Sequence, residues 1–82
     1  MQAIILGDGP FGRAIADALV ARGEPAPRVL GRPAGHGHDR RDLAVADVAF
    51  EVSRGGAVRD NVHALLAAGC RRIVLGTTAW EA

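Results

Sequence analysis

Lysine and tyrosine are absent from this 82-residue chain, cysteine and tryptophan occur once each, and phenylalanine twice. The single thiol, Cys70, can neither close an internal disulfide nor complete a zinc set, so a reducing cytoplasm is the expected setting. No apolar run approaches the roughly 20 residues that span a bilayer. The first apolar run meets Asp8 with no basic leader before it, which points away from secretion. Ten arginines against nine acids leave a net charge of +1, too little for a general attraction to nucleic acid or membrane surfaces. Arginine in place of every lysine, with abundant alanine and glycine, fits genomic base composition better than a functional demand.

What is present is small and apolar. Hydrophobic residues make up 49% and charged residues 23%, a balance that argues against disorder. Sixteen of the residues are alanine, so the core has little bulk. A chain of this length buries only about 60% of its unfolded surface and has room for one domain.

Hydrophobic periodicity orders the chain. Ala3-Ile4-Ile5-Leu6 is a continuous apolar run of the kind found in strands buried on both faces. Phe11, Ile15, Ala18 and Leu19 recur at helical spacing, with Arg22 in the last turn and Gly23 as the left-handed stop. Pro25 and Pro27 mark a turn before a short strand, Arg28-Val29-Leu30, that ends at Gly31. Pro33, Gly35, His36, Gly37, His38 and Asp39 predict a loop from Arg32 to about Asp42. Val48-Ala49-Phe50-Glu51-Val52 predicts a third strand, broken by Gly55 and Gly56. Val58, Val62, Leu65 and Leu66 then predict the buried stripe of a second helix stopped at Gly69. Ile73-Val74-Leu75 closes the pattern as a fourth strand before Gly76-Thr77-Thr78. The order β-α-β-loop-β-α-β implies an α/β, Rossmann-like parallel sheet of about four strands, a truncated doubly wound fold in one domain, 1–82.

The sharpest local signal is Gly7-Asp8-Gly9-Pro10-Phe11-Gly12. A lone G-x-G-x-x-G is weak, but this one follows a strand and opens a helix within a β-α-β unit. Gly7 would make the tight turn, Gly9 would let a pyrophosphate approach the backbone, and Gly12 would let helix and strand pack closely. The helix N-terminus adds free N–H groups and partial positive charge. Pro10 removes a donor that the helix start does not need. The carboxylate of Asp8 would repel a pyrophosphate, so it is expected to face solvent or to accept from first-turn N–H groups. The alternative is a plain strand-turn-helix corner that binds nothing.

Cofactor choice is commonly read at the end of the second strand, where an acid accepts hydrogen bonds from the ribose of NAD. Gly31-Arg32 stands there instead, with no acid before Asp39. Arg32 could pair with a 2′-phosphate through its planar fork, which favours NADPH and leaves NADH open. The alternative is a solvated loop arginine.

Three further segments, Ala46 to Arg54, Ala57 to Val62 and Leu75-Gly76-Thr77-Thr78-Ala79-Trp80, resemble the amino-terminal domain of the dihydrodipicolinate reductase (4-hydroxy-tetrahydrodipicolinate reductase) family. That domain typically carries a strand ending in an acid, Phe and Ser or Thr. A helix with an Ala-Val…Asn-type stretch follows, and then Gly-Thr-Thr-Gly before Trp or Phe. The resemblance covers the chain outside Pro33 to Leu43 and is most specific at Gly76-Thr77-Thr78 and Glu51-Val52-Ser53-Arg54. It implies NAD(P)H-dependent reduction of dihydrodipicolinate in lysine biosynthesis. The glycine turn would hold pyrophosphate, Gly76, Thr77 and Thr78 would lie against the nicotinamide, and Ser53 and Arg54 would lie nearby. Both turns would sit at carboxyl ends of parallel strands, where ligands of open α/β sheets collect. A β-turn or helix cap is the alternative for the threonine pair.

The chain also departs from the family. Val52 stands where Phe is common, Gly55-Gly56 where Pro-Glu is usual, and Ala79 where the last glycine belongs. The glycine turn and the loop after Arg32 are both short. Members continue into a second domain that supplies the His- and Lys-containing substrate site and oligomer contacts. The 82 residues would therefore bind cofactor without catalytic residues of their own. A small-molecule substrate, and any homo-oligomer, would belong to the parent enzyme. A non-catalytic nucleotide-binding regulatory module, or the cofactor domain of another two-domain dehydrogenase, are the alternatives.

Other candidates read blandly. His36 and His38 lack the partners of a closed metal site. Ser53, Asp60 and His63 name a hydrolase triad, but Asp60 and His63 lie three apart on one helix and no nucleophile elbow surrounds Ser53. Cys70 fits a partly buried position at a helix end, and Arg71-Arg72 a solvated pair near that end.

Overall fold

Four consecutive residues, Ala3 to Leu6, are all buried, which a strand achieves only when both faces of its sheet are covered. The computed structural model describes residues 1–31, 46–53 and 55–76. Its elements run β1 (Ala3–Leu6), α1 (Pro10–Ala21), β2 (Arg28–Leu30), β3 (Val48–Glu51), α2 (Gly55–Ala67) and β4 (Ile73–Leu75). The strands form one parallel sheet in the order β2-β1-β3-β4. This is the Rossmann-like α/β arrangement that the alternation of periods predicts, and β1 and β3 lie at its centre.

The two halves wind in opposite directions from that centre. β1-α1-β2 steps to one side and β3-α2-β4 to the other, so right-handed crossovers put α1 and α2 on opposite faces. The packing agrees. Gly12 of α1 lies against Ile5, whereas Leu65 of α2 clusters with Ile4, Leu6, Ala49 and Cys70. Because successive strand side chains alternate faces, Ile4 and Ile5 serve different helices.

Three packing expectations need correction. In α2 the buried residues are Ala57, Val58, Asn61 and Leu65, while Leu66 is 59% exposed. At 100° per residue, 58, 61 and 65 stay on one face and 66 turns away, so the polar Asn61 takes the core position instead. In α1 the Phe11 ring is 58% exposed, and Gly12 is the helix's buried residue. Cys70 is more buried than expected: it is 2% exposed and part of the core cluster. Both helix stops hold, with Gly23 at φ 84° and Gly69 at φ 92°, where a side chain would be strained.

A stability contrast checks the revised stripe. Leu65→Ala empties a fully buried site and should cost about 2–5 kcal/mol. Leu66→Ala should change stability by less than about 0.5 kcal/mol. Equal losses in urea unfolding would restore the stripe read from periodicity.

Candidate functional site

The sheet's carboxyl-terminal edge brings together Gly7 to Gly9 after β1, Gly31 after β2, Val52-Ser53 after β3 and Gly76 after β4. Between β1 and β3 the connections diverge to opposite sides, leaving the crevice in which ligands of open α/β sheets bind. The glycine turn stands on one side of this crevice and Val52-Ser53 on the other. Backbone hydrogen bonds fix their spacing: Gly7 N–H donates to the Leu30 carbonyl at 3.0 Å, and Val52 N–H to the Leu6 carbonyl at 2.9 Å.

The three glycines of the turn have different reasons to be glycine. Gly7 has φ 130°, and a Cβ there would lie 2.5 Å from the Val52 carbonyl oxygen. A Cβ on Gly12 would run into the Gly7 carbonyl and come within 3.3 Å of Ile5 Cγ2. Both positions are therefore demanded by the fold. Gly9 differs: it is the N-cap of α1, with ordinary φ −76°, and a Cβ there would meet nothing within 4 Å. Its openness lies at the helix N-terminus, where free N–H groups and the helix dipole favour an anion. The residues fit a pyrophosphate there, with Gly9 supplying the close approach and Pro10 occupying N1.

Asp8 does not cap the helix. No side chain caps α1, and Arg13 Nε donates to the Asp8 backbone carbonyl at 3.0 Å. The carboxylate instead extends over Gly31 at the end of β2, where a Cβ would lie 2.5 Å from Asp8 Oδ2. At the other end of the edge, a Cβ on Gly76 would lie 2.8 Å from Val52 Cγ1 and 3.0 Å from Phe11 Cε2. Phe11 thus leans from the first turn of α1 toward the end of β4, and its exposed ring forms part of the rim rather than the core.

Behind the rim is a polar relay that periodicity did not reveal. Glu51 is fully buried at the end of β3, and its Oε1 accepts from the Ser53 N–H at 2.8 Å and from the Ser53 hydroxyl. Asn61 Nδ2 donates to Ser53 Oγ at 3.3 Å. Ser53 therefore directs its hydroxyl proton inward to Glu51. The relay ties the residues after β3 to a fully buried carboxyl group through two hydrogen bonds to one oxygen. An acid ending an otherwise apolar strand, two residues before a serine, was the available signal for it.

Of the residues singled out from sequence, Gly7, Asp8, Gly9, Pro10, Phe11, Gly12, Ser53 and Gly76 share this edge. Arg32, Arg54, Thr77 and Thr78 lie outside the described residues, as do His36 and His38. Among the described residues no group of three His, Cys, Asp or Glu could hold a metal ion, and no helix is long and apolar enough to cross a membrane. Asp60 and His63 are exposed on α2 while the Ser53 hydroxyl serves Glu51, so no triad is assembled. No protein-family model matches the sequence and no curated protein is significantly similar to it, so the family likeness rests on the motifs themselves.

Proposed function

We propose that this chain binds a nicotinamide dinucleotide across the carboxyl-terminal edge of its sheet, as the cofactor-binding part of an NAD(P)H-dependent oxidoreductase. One observation carries the reading. Packing accounts for Gly7 and Gly12, whereas Gly9 is open to a ligand at the N-terminus of α1, beside the point where the crossovers diverge. The Gly9 turn and the N–H groups of α1 hold the pyrophosphate. The Val52, Phe11 and Gly76 rim receives the nicotinamide end. When bound, the cofactor supplies hydride chemistry; the protein orients it and excludes alternatives.

The motifs around Glu51-Val52-Ser53 and Gly76-Thr77-Thr78 extend the proposal to reduction of dihydrodipicolinate in lysine biosynthesis. In that family substrate binding and proton donation belong to a second domain. The 82-residue chain should therefore bind NADH or NADPH and reduce nothing. At a hundredfold excess over the dissociation constant, ligand should stabilise the fold by about 2.7 kcal/mol. Calorimetric titration and thermal unfolding test this directly. Absence of both heat and thermal shift with either cofactor would overturn the binding reading. Turnover of dihydrodipicolinate would relocate catalytic groups into these residues, with His63 and Arg54 the first to examine.

A further inference from the structure

The end of β2 lacks the acid that would accept hydrogen bonds from a ribose, yet a carboxylate stands there. It comes from the glycine turn. A Cβ on Gly31 would lie 2.5 Å from Asp8 Oδ2 and 3.0 Å from Asp8 Cγ, so the carboxylate occupies the space that a side chain at 31 would fill. The two turns are held together by backbone, since Leu6 pairs with Leu30 and Gly7 N–H donates to the Leu30 carbonyl at 3.0 Å. Asp8 can reach the end of β2 because Gly31 has no side chain.

The Asp8 carboxylate has no competing structural task. It does not cap α1, Arg13 binds its backbone carbonyl rather than its side chain, and no described residue pairs with it. Two acceptor oxygens suit two neighbouring hydroxyls, and hydrogen bonds to an ionised acceptor are the stronger kind. A phosphate in the same place would face a like charge at close range. We infer that Asp8 selects the cofactor: it accepts hydrogen bonds from the adenosine ribose hydroxyls, repels a 2′-phosphate, and makes the chain prefer NADH to NADPH. This inference rests on the dinucleotide reading above and reverses the preference that Arg32 suggests from sequence.

Equilibrium titration of the 82-residue chain with NADH and NADPH, and of two variants, tests it. The native chain should bind NADH about tenfold more tightly than NADPH. Asp8→Asn keeps the shape and removes the charge; it should weaken NADH about tenfold, strengthen NADPH, and so reverse the preference. Gly31→Ala leaves the charge but puts a methyl where the carboxylate lies, displacing the flexible end of Asp8. It should move the preference in the same direction. Unliganded thermal unfolding should be nearly unchanged in Asp8→Asn, because the side chain is exposed. A native preference for NADPH, or equal losses for both cofactors in Asp8→Asn, would overturn the assignment while leaving dinucleotide binding intact. Failure of the native chain to bind either cofactor would remove the dinucleotide reading and this assignment with it.

Discussion

Gly12→Ala should remove a large part of the chain's stability, while Gly9→Ala should leave it nearly intact. A methyl at residue 12 collides with the Gly7 carbonyl and presses on Ile5 Cγ2, a fully buried side chain of the central strand. Neither neighbour can swing aside, so α1 must lift from β1 or β1 must bend. Overpacking generally costs about 1–3 kcal/mol and occasionally more, and a backbone collision belongs at the upper end. Native stability is about 0.05–0.15 kcal/mol per residue, or about 4–12 kcal/mol at this length, so a loss of about 3 kcal/mol is a large fraction. At position 9 the backbone is already extended and space is open, so alanine should cost no more than about 1 kcal/mol as a poorer N-cap. Urea unfolding followed by circular dichroism separates the two variants. An unchanged midpoint for Gly12→Ala would mean that helix and strand are not in such close contact.

The complementary result is expected from Gly9→Val, which should abolish dinucleotide binding in a chain that still folds. The branched side chain would project into the space at the head of α1, where the phosphates need the backbone. Hydrogen bonds to charged groups contribute about 1.5–3 kcal/mol each, so blocking two of them should weaken binding a hundredfold or more, about 2.8 kcal/mol or above. Titration with NADH and NADPH, beside an unfolding curve for the same variant, reads affinity and fold separately. Native-like affinity for both cofactors in folded Gly9→Val would place any ligand elsewhere.

Local periodicity and turn chemistry made most of the architecture legible. Ala3 to Leu6, Arg28 to Leu30 and Ile73 to Leu75 are strands with the expected bounds, and Gly23 and Gly69 end their helices in the left-handed region. These features depend on neighbours in sequence. The missed features depend on neighbours in space. Leu66 is as apolar as Leu65, and only the direction of the sheet under α2 decides that Asn61 is buried and Leu66 exposed. Phe11 has core composition but leans over Gly76, a residue 65 positions away in sequence. The glycine turn was readable from the spacing of its glycines between a strand and a helix, although the steric demand at Gly7 comes from distant Val52 and Gly9 has none. The partnership of Asp8 with Gly31 was not readable, because it crosses between two turns joined by the β1–β2 ladder.

The β1–β3 ladder has a kinetic consequence. Each β-α-β half closes a span of 24 residues, Ile4 to Arg28 and Ala49 to Ile73, whereas the central ladder joins Ala3 to Val48, 45 apart. The crevice lies across that longest closure: the Gly7 turn meets the Val52 carbonyl only when the two halves have docked. Contacts of low sequence separation close most readily, so the halves can form before the crevice does. A ligand resting on both sides of the crevice gains its contacts only once the halves have docked. Such contacts slow unfolding and leave the folding rate nearly unchanged. In stopped-flow denaturation, saturating cofactor should therefore lower the unfolding limb of the chevron and leave the refolding limb in place.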